Sequence, residues 1–146
     1  MYAQIELDLQ NAIASLPDSQ SQVGRVNKYT AYALLGKVLL YQDKFAEAAS
    51  ALDNVIGVYS LVSDYGSQFL RFGENGPESV FEIQYSNQSN WYDWGCAHCS
   101  EGNYAIIMNG PRGWSGPEYA QGWSFNVPTA EFYNSFEEGD TRRDAT

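Results

Sequence analysis

The residues best suited to chemistry in this sequence are aromatics set in polar loops. Trp91, Tyr92 and Trp94 lie in the stretch 86–103, SNQSNWYDWGCAHCSEGN, and Trp114 lies in 109–124, NGPRGWSGPEYAQGWS. Rings placed among Gly, Asn and Ser more often form a surface that touches something than a regular core. A sugar presents flat C–H faces as well as hydroxyls. An aromatic ring stacks on the former, and planar polar groups satisfy the latter. Asn87, Asn90, Asp93, Asn109 and Arg112 are interleaved with these rings. The plainer alternative is a small satellite core in which the rings pin the loops. Cys96-Ala97-His98-Cys99 is a second constellation. It offers three zinc ligands where a closed structural site needs four, and there is no second cysteine pair. Haem attachment needs His directly after the second Cys, and Ser100 is there. A redox pair would want a βαβ setting. A disulfide, free thiols and a metal site stay open. His98 is the only histidine, which argues against a Ser-His-Asp or Cys-His-Asn enzyme. A glycosidase needs two carboxyl groups at a defined separation, and Glu82 and Glu101 read as solvated or loop residues. The expectation is a protein without catalysis, cofactor or bound metal.

The net charge of −10 over 146 residues argues against nucleic acid and anionic lipid, which need a basic face. With 44% hydrophobic residues the chain is not of a disordered type. No apolar run is long enough to span a bilayer, and neither a secretory signal nor a lipidation motif is visible.

The elements that position these loops begin with helices. In residues 2–16, Tyr2, Ile5, Leu9, Ala12, Ile13 and Leu16 share a helical face, and Pro17 stops it. The spacing predicts further helices over 28–42 and 44–56. On the first, Tyr32, Leu35, Gly36, Leu39 and Leu40 make one stripe, and Ala31, Leu34, Val38 and Tyr41 make another. Such a helix has neighbours on two sides. Asn27 suits its N-cap, Asp43 suits the cap of the next helix, and Gly57 suits a left-handed stop. Gly36 and Ala48 would let the two axes approach closely. The pattern resembles a tetratricopeptide unit of about 34 residues. Beyond residue 57 the chain turns irregular. Val80 to Tyr85 alternates, predicting a half-buried strand with Phe81, Ile83 and Tyr85 on one face. Tyr104 to Met108 predicts a second strand. Pro128-Thr129 opens a short helix carrying Phe132 and Phe136. Loops as long as 86–103 and 109–124 are usually functional or disordered.

The order of features is similar to a known family. It is carried by Asp8-Leu9 with Ala12-Ile13 and Leu16-Pro17, by Gly24-Arg25-Val26, and by the Ala/Leu-rich helix ending Leu39-Leu40-Tyr41. It continues through Ala46 to Ile56, Tyr59-Ser60-Leu61, Glu78 to Ile83, Gly122-Trp123, Val127-Pro128-Thr129, Phe136-Glu137 and Asp140-x-Arg142. Loose at any one point but collinear over nearly the whole chain, this resembles the SusD/RagB family of outer-membrane nutrient-binding lipoproteins.

The resemblance implies a mainly α fold: tetratricopeptide-like helical hairpins packed against an irregular aromatic-rich lobe with a few short β-strands. It implies one domain over 1–146, with helices in 1–57 and the lobe in 58–146. Members are much longer, so the chain is expected to be a central fragment, with the family's lipid anchor upstream. It implies a place on the cell outer membrane above a SusC-like TonB-dependent porin, binding oligosaccharide and passing it on uncut. Recognition aromatics lie in loops of the irregular lobe, so Trp91, Tyr92, Trp94 and Trp114, with Asn90, Asp93 and Arg112, are the expected ligand-binding residues. Trp123 falls in the shared Gly-Trp element, which implies a structural role. An oxidising surface setting favours a local disulfide between Cys96 and Cys99. The competing reading is a tetratricopeptide-like protein–protein interaction module without ligand binding.

Overall fold

A computed structural model of the chain describes residues 1–85, 104–117 and 121–145. It divides into two compact units, Met1–Gln84 and Tyr85–Thr146. Among the described residues the protein is mainly helical, and the only β pairing is an isolated bridge between Ile56 and Tyr59.

In the first unit, α1 (Tyr2–Ser15), α2 (Lys28–Leu40) and α3 (Phe45–Leu52) pack in chain order, α1 on α2 and α2 on α3. The α1 stop is the expected one: Leu16 before Pro17 is extended, with φ −75° and ψ 144°. Asn27 caps α2, its side-chain oxygen accepting the Thr30 N–H at 2.9 Å. Leu35, Leu39, Ala48 and Ala51 form the buried cluster, with Leu9 and Ile13 of α1 packed against it. Glu6 ties α1 to the α2–α3 turn. It accepts from Lys44 Nζ at 2.7 Å and from the Gln42 amide at 2.8 Å. Those bonds, Lys44 first, hold its carboxyl below the usual range.

Several expectations are corrected. Asp43 does not cap α3. It sits in the left-handed region at φ 58°, whereas an N-cap needs extended backbone, and Lys44 occupies the cap without a side-chain bond. Helix α3 ends at Leu52 rather than at 56. The Asn54 side chain donates back to the carbonyls of Ser50 (2.9 Å) and Ala51 (3.3 Å), competing with the helix ladder. The β-branched pair Val55 and Ile56 adds little helix propensity. Gly57 is left-handed, φ 83°, but within the turn beyond the helix. A Cβ on Gly36 would lie 2.6 Å from Leu52 Cγ, so Leu52, not Ala48, is the residue against it.

The segment 80–85 is not a strand. Phe81, Ile83 and Tyr85, its expected inner face, are all exposed. Its polar groups bond to α2 and to the preceding turn instead. Thr30 Oγ1 donates to the Val80 carbonyl at 3.2 Å, and the Asn75 N–H donates to Glu82 at 2.9 Å. Asn27 donates to the Tyr59 hydroxyl at 3.2 Å, so Tyr59 and Val80 are both fastened to the start of α2.

In the second unit, Tyr104–Asn109 is a helix, α4, where the sequence predicts a strand. A five-residue apolar run has no period by which to tell the two apart. Helix α5 (Ala130–Asn134) is the expected short one, capped by Thr129, whose hydroxyl oxygen accepts the Phe132 N–H at 3.1 Å.

Candidate functional site

The second unit is assembled around the end of α4. The last carbonyls of a helix have no partner within it. Here the segment 122–126 supplies them. Trp123 N–H donates to the Ile107 carbonyl at 2.7 Å, Phe125 N–H to Met108 at 2.8 Å and Ser124 N–H to Gly110 at 3.0 Å. The crossing requires glycine. Gly122 is buried, and a Cβ there would stand 2.5 Å from both Gly110 Cα and the Ile107 carbonyl oxygen, backbone atoms that cannot step aside.

Of the expected ligand-binding residues, Arg112 and Trp114 are described. Asn90, Trp91, Tyr92, Asp93 and Trp94 lie outside the described residues, as do Cys96, His98 and Cys99. Arg112 is tied to the framework. Its Nε and Nη2 both donate to the Trp123 carbonyl, at 3.0 and 2.6 Å, and its own N–H donates to Ser124 Oγ at 2.7 Å. The guanidinium lies 5.6 Å from the centroid of the Phe125 ring, within cation–π range. Arg112 remains exposed. Trp114 is half-buried and lies over Gly116, where a Cβ would come within 2.7 Å of the indole ring. The rings of Trp123 and Phe125 meet at 5.6 Å, tilted by 48°.

Beside this framework is a hollow of about 550 Å³ lined by Asn109, Asn126, Val127, Pro128, Thr129 and Phe132. Asn109 stood out in the sequence as a polar neighbour of the loop rings. Asn126 did not, because it is joined to Asn109 only in space, its Nδ2 donating to Asn109 Oδ1 at 3.1 Å. Among the described residues no group of three or more His, Cys, Asp or Glu is placed to hold a metal ion, and no helix is long and apolar enough to cross a membrane.

No protein-family model matches the chain. It is similar to SusD-like protein P2 of Formosa agariphila, with 32% identity over 149 residues, covering 98% of this chain and 28% of that protein. Surface glycan-binding protein A from Bacteroides thetaiotaomicron, solved in complex with laminarihexaose, superposes with a TM-score of 0.87 at 29% identity. That match covers 99% of this chain and 33% of the other. Surface glycan-binding protein A from Bacteroides uniformis gives a TM-score of 0.78 at 27% identity, covering 99% and 32%. The resemblance read from the sequence is thus carried by identity and by backbone alike: the chain is similar to SusD-like proteins, and it spans about a third of the length of the relatives it matches.

Proposed function

We propose that the chain presents a non-catalytic glycan-binding surface in residues 87–114. It would belong to a longer cell-surface protein that captures oligosaccharide and hands it to a SusC-like TonB-dependent porin. The observation that carries the reading is the match over 99% of the chain to a surface glycan-binding protein solved with laminarihexaose. Trp91, Tyr92, Trp94 and Trp114 would stack on sugar faces, and Asn90, Asp93 and the outer edge of Arg112 would take hydroxyls. The acidity of the chain favours a neutral oligosaccharide over a sulfated or uronic one. Helices α2 and α3 would act as a tetratricopeptide-like hairpin, a rigid support rather than the ligand site. Attachment to the outer membrane would run through a lipid anchor borne elsewhere in the longer protein.

The test is retention in affinity gels containing laminarin. Trp91→Ala, Trp94→Ala and Trp114→Ala together should abolish retention while the helical circular dichroism is kept. The double variant at Trp91 and Trp94 spares the half-buried Trp114 and should weaken retention in the same direction. A triple variant retained like the parent would end this reading, and shortening of the glycan by the pure protein would turn it into an enzyme. The second reading, a peptide-binding module, rests on the open groove of about 430 Å³ between α2 and α3, lined by Tyr32, Leu35, Leu39 and Ala51 among others. A chain that ignores glycans altogether would move the assignment there.

A further inference from the structure

We propose that the hollow between Asn109 and Phe132 is a second sugar-contacting subsite, built from residues other than the loop aromatics. The ligand class rests on the glycan-binding reading; the place rests on the geometry. The hollow, about 550 Å³, is open and every lining residue is exposed, so it would hold a sugar by one face rather than enclose it. None of the six lining side chains is ionisable, so the hollow suits a neutral pyranose rather than an anionic one.

The parts are held in place before any ligand arrives. Phe132 is 52% exposed. Its backbone is fixed by the Thr129 cap, and its ring is fixed edge-on by Phe136, with centroids 5.2 Å apart and planes at 70°. A ring that is both exposed and pinned offers stacking area at little entropic cost. The Asn126–Asn109 bond at 3.1 Å orients both amides. An amide has two N–H donors and an oxygen acceptor. Using one donor of Asn126 and the oxygen of Asn109 leaves the Asn126 oxygen, its second N–H and the Asn109 NH₂ group for other partners. Donors and an acceptor carried on one oriented pair of amides can meet sugar hydroxyls, which each give and take. The Pro128 ring adds a second aliphatic face beside Phe132.

The probes are laminarihexaose and cellohexaose, titrated into the full chain by calorimetry and followed by the side-chain amide signals of Asn109 and Asn126. Those signals should shift saturably with one of the two sugars. Asn126→Ala and Phe132→Ala should each weaken binding about tenfold, the size expected for one good polar or stacking contact. Circular dichroism checks that Phe132→Ala is folded; the amide shifts of the unsubstituted chain decide the matter if it is not. Unmoved Asn amides, with binding lost only in the Trp91, Trp94 and Trp114 variants, would overturn the subsite and leave the loop surface standing. A parent chain that binds neither hexasaccharide would overturn both.

Discussion

Asp140 shows what one short spacing decides. Arg142 Nε donates to both of its carboxylate oxygens, at 2.9 and 3.1 Å, Nη2 adds a further bond, and the Arg142 backbone N–H donates at 3.0 Å. These bonds, with the side chain contributing most, lower the carboxyl to about 2 against some opposition from desolvation. A depressed carboxylate stabilises the fold at all pH values above its unfolded value near 3.9, and that contribution is lost as pH falls through about 2. Carbon-detected NMR should therefore place the Asp140 titration about two units below an ordinary aspartate, and Arg142→Ala should bring it back. An Asp140 that titrates near 3.9 with Arg142 intact would mean the chelate does not persist in solution. Because both partners lie within two residues, this ion pair was legible in the sequence. Arg112 was not: its bonds go to the Trp123 carbonyl, eleven residues away. Residue type alone offers a guanidinium to a ligand; only the fold shows that much of it is already spent.

Helices with sustained periodicity were legible, and isolated extended pieces were not. The 14 residues of α1 and 13 of α2 carry enough turns for the apolar stripe to repeat. Residues 80–85 and 104–108 are too short for that. The first forms no ladder among the described residues, and the second is a helix whose last carbonyls are met by the backbone of 122–126. The hairpin was read correctly as a close approach, but sequence spacing named Ala48 where the structure has Leu52. That distinction makes a prediction. Gly36→Leu should cost about 1–3 kcal/mol by overpacking. Gly36→Ala should be nearly neutral, because Leu52 is 38% exposed and can swing aside while the helix gains about 1 kcal/mol in propensity. Adding Leu52→Ala to Gly36→Leu should recover part of the loss, so denaturant midpoints of the four chains in this cycle should not be additive. Strict additivity would place the contact elsewhere.

Across the molecule, large apolar side chains are left in water. The buried core among the described residues is Ala31, Leu35, Leu39, Ala48 and Ala51, so three of its members are alanines, and no described side chain is fully buried. Meanwhile Leu40, Tyr41, Phe45, Ile56, Leu61, Phe69 and Phe72 are exposed within the first unit. Burying a side chain such as Leu or Phe is worth about 1.5–3 kcal/mol, so several left out together make a strong drive to associate. Single exposed apolar residues are ordinary, but Leu40 and Phe45 flank the α2–α3 turn, and a separate open groove between the two helices is lined by Tyr32, Leu35 and Leu39 among others. The relatives are about three times as long, which gives such a surface a natural cover in a longer polypeptide. The chain by itself should then bind a hydrophobic dye and sediment as a concentration-dependent mixture. Leu40→Ser with Phe45→Ser should lower both signals without loss of helix, since Leu40 is 50% and Phe45 62% exposed and neither belongs to the buried cluster. A dye-silent, monodisperse monomer over a hundredfold range of concentration would show that this surface is at home in water.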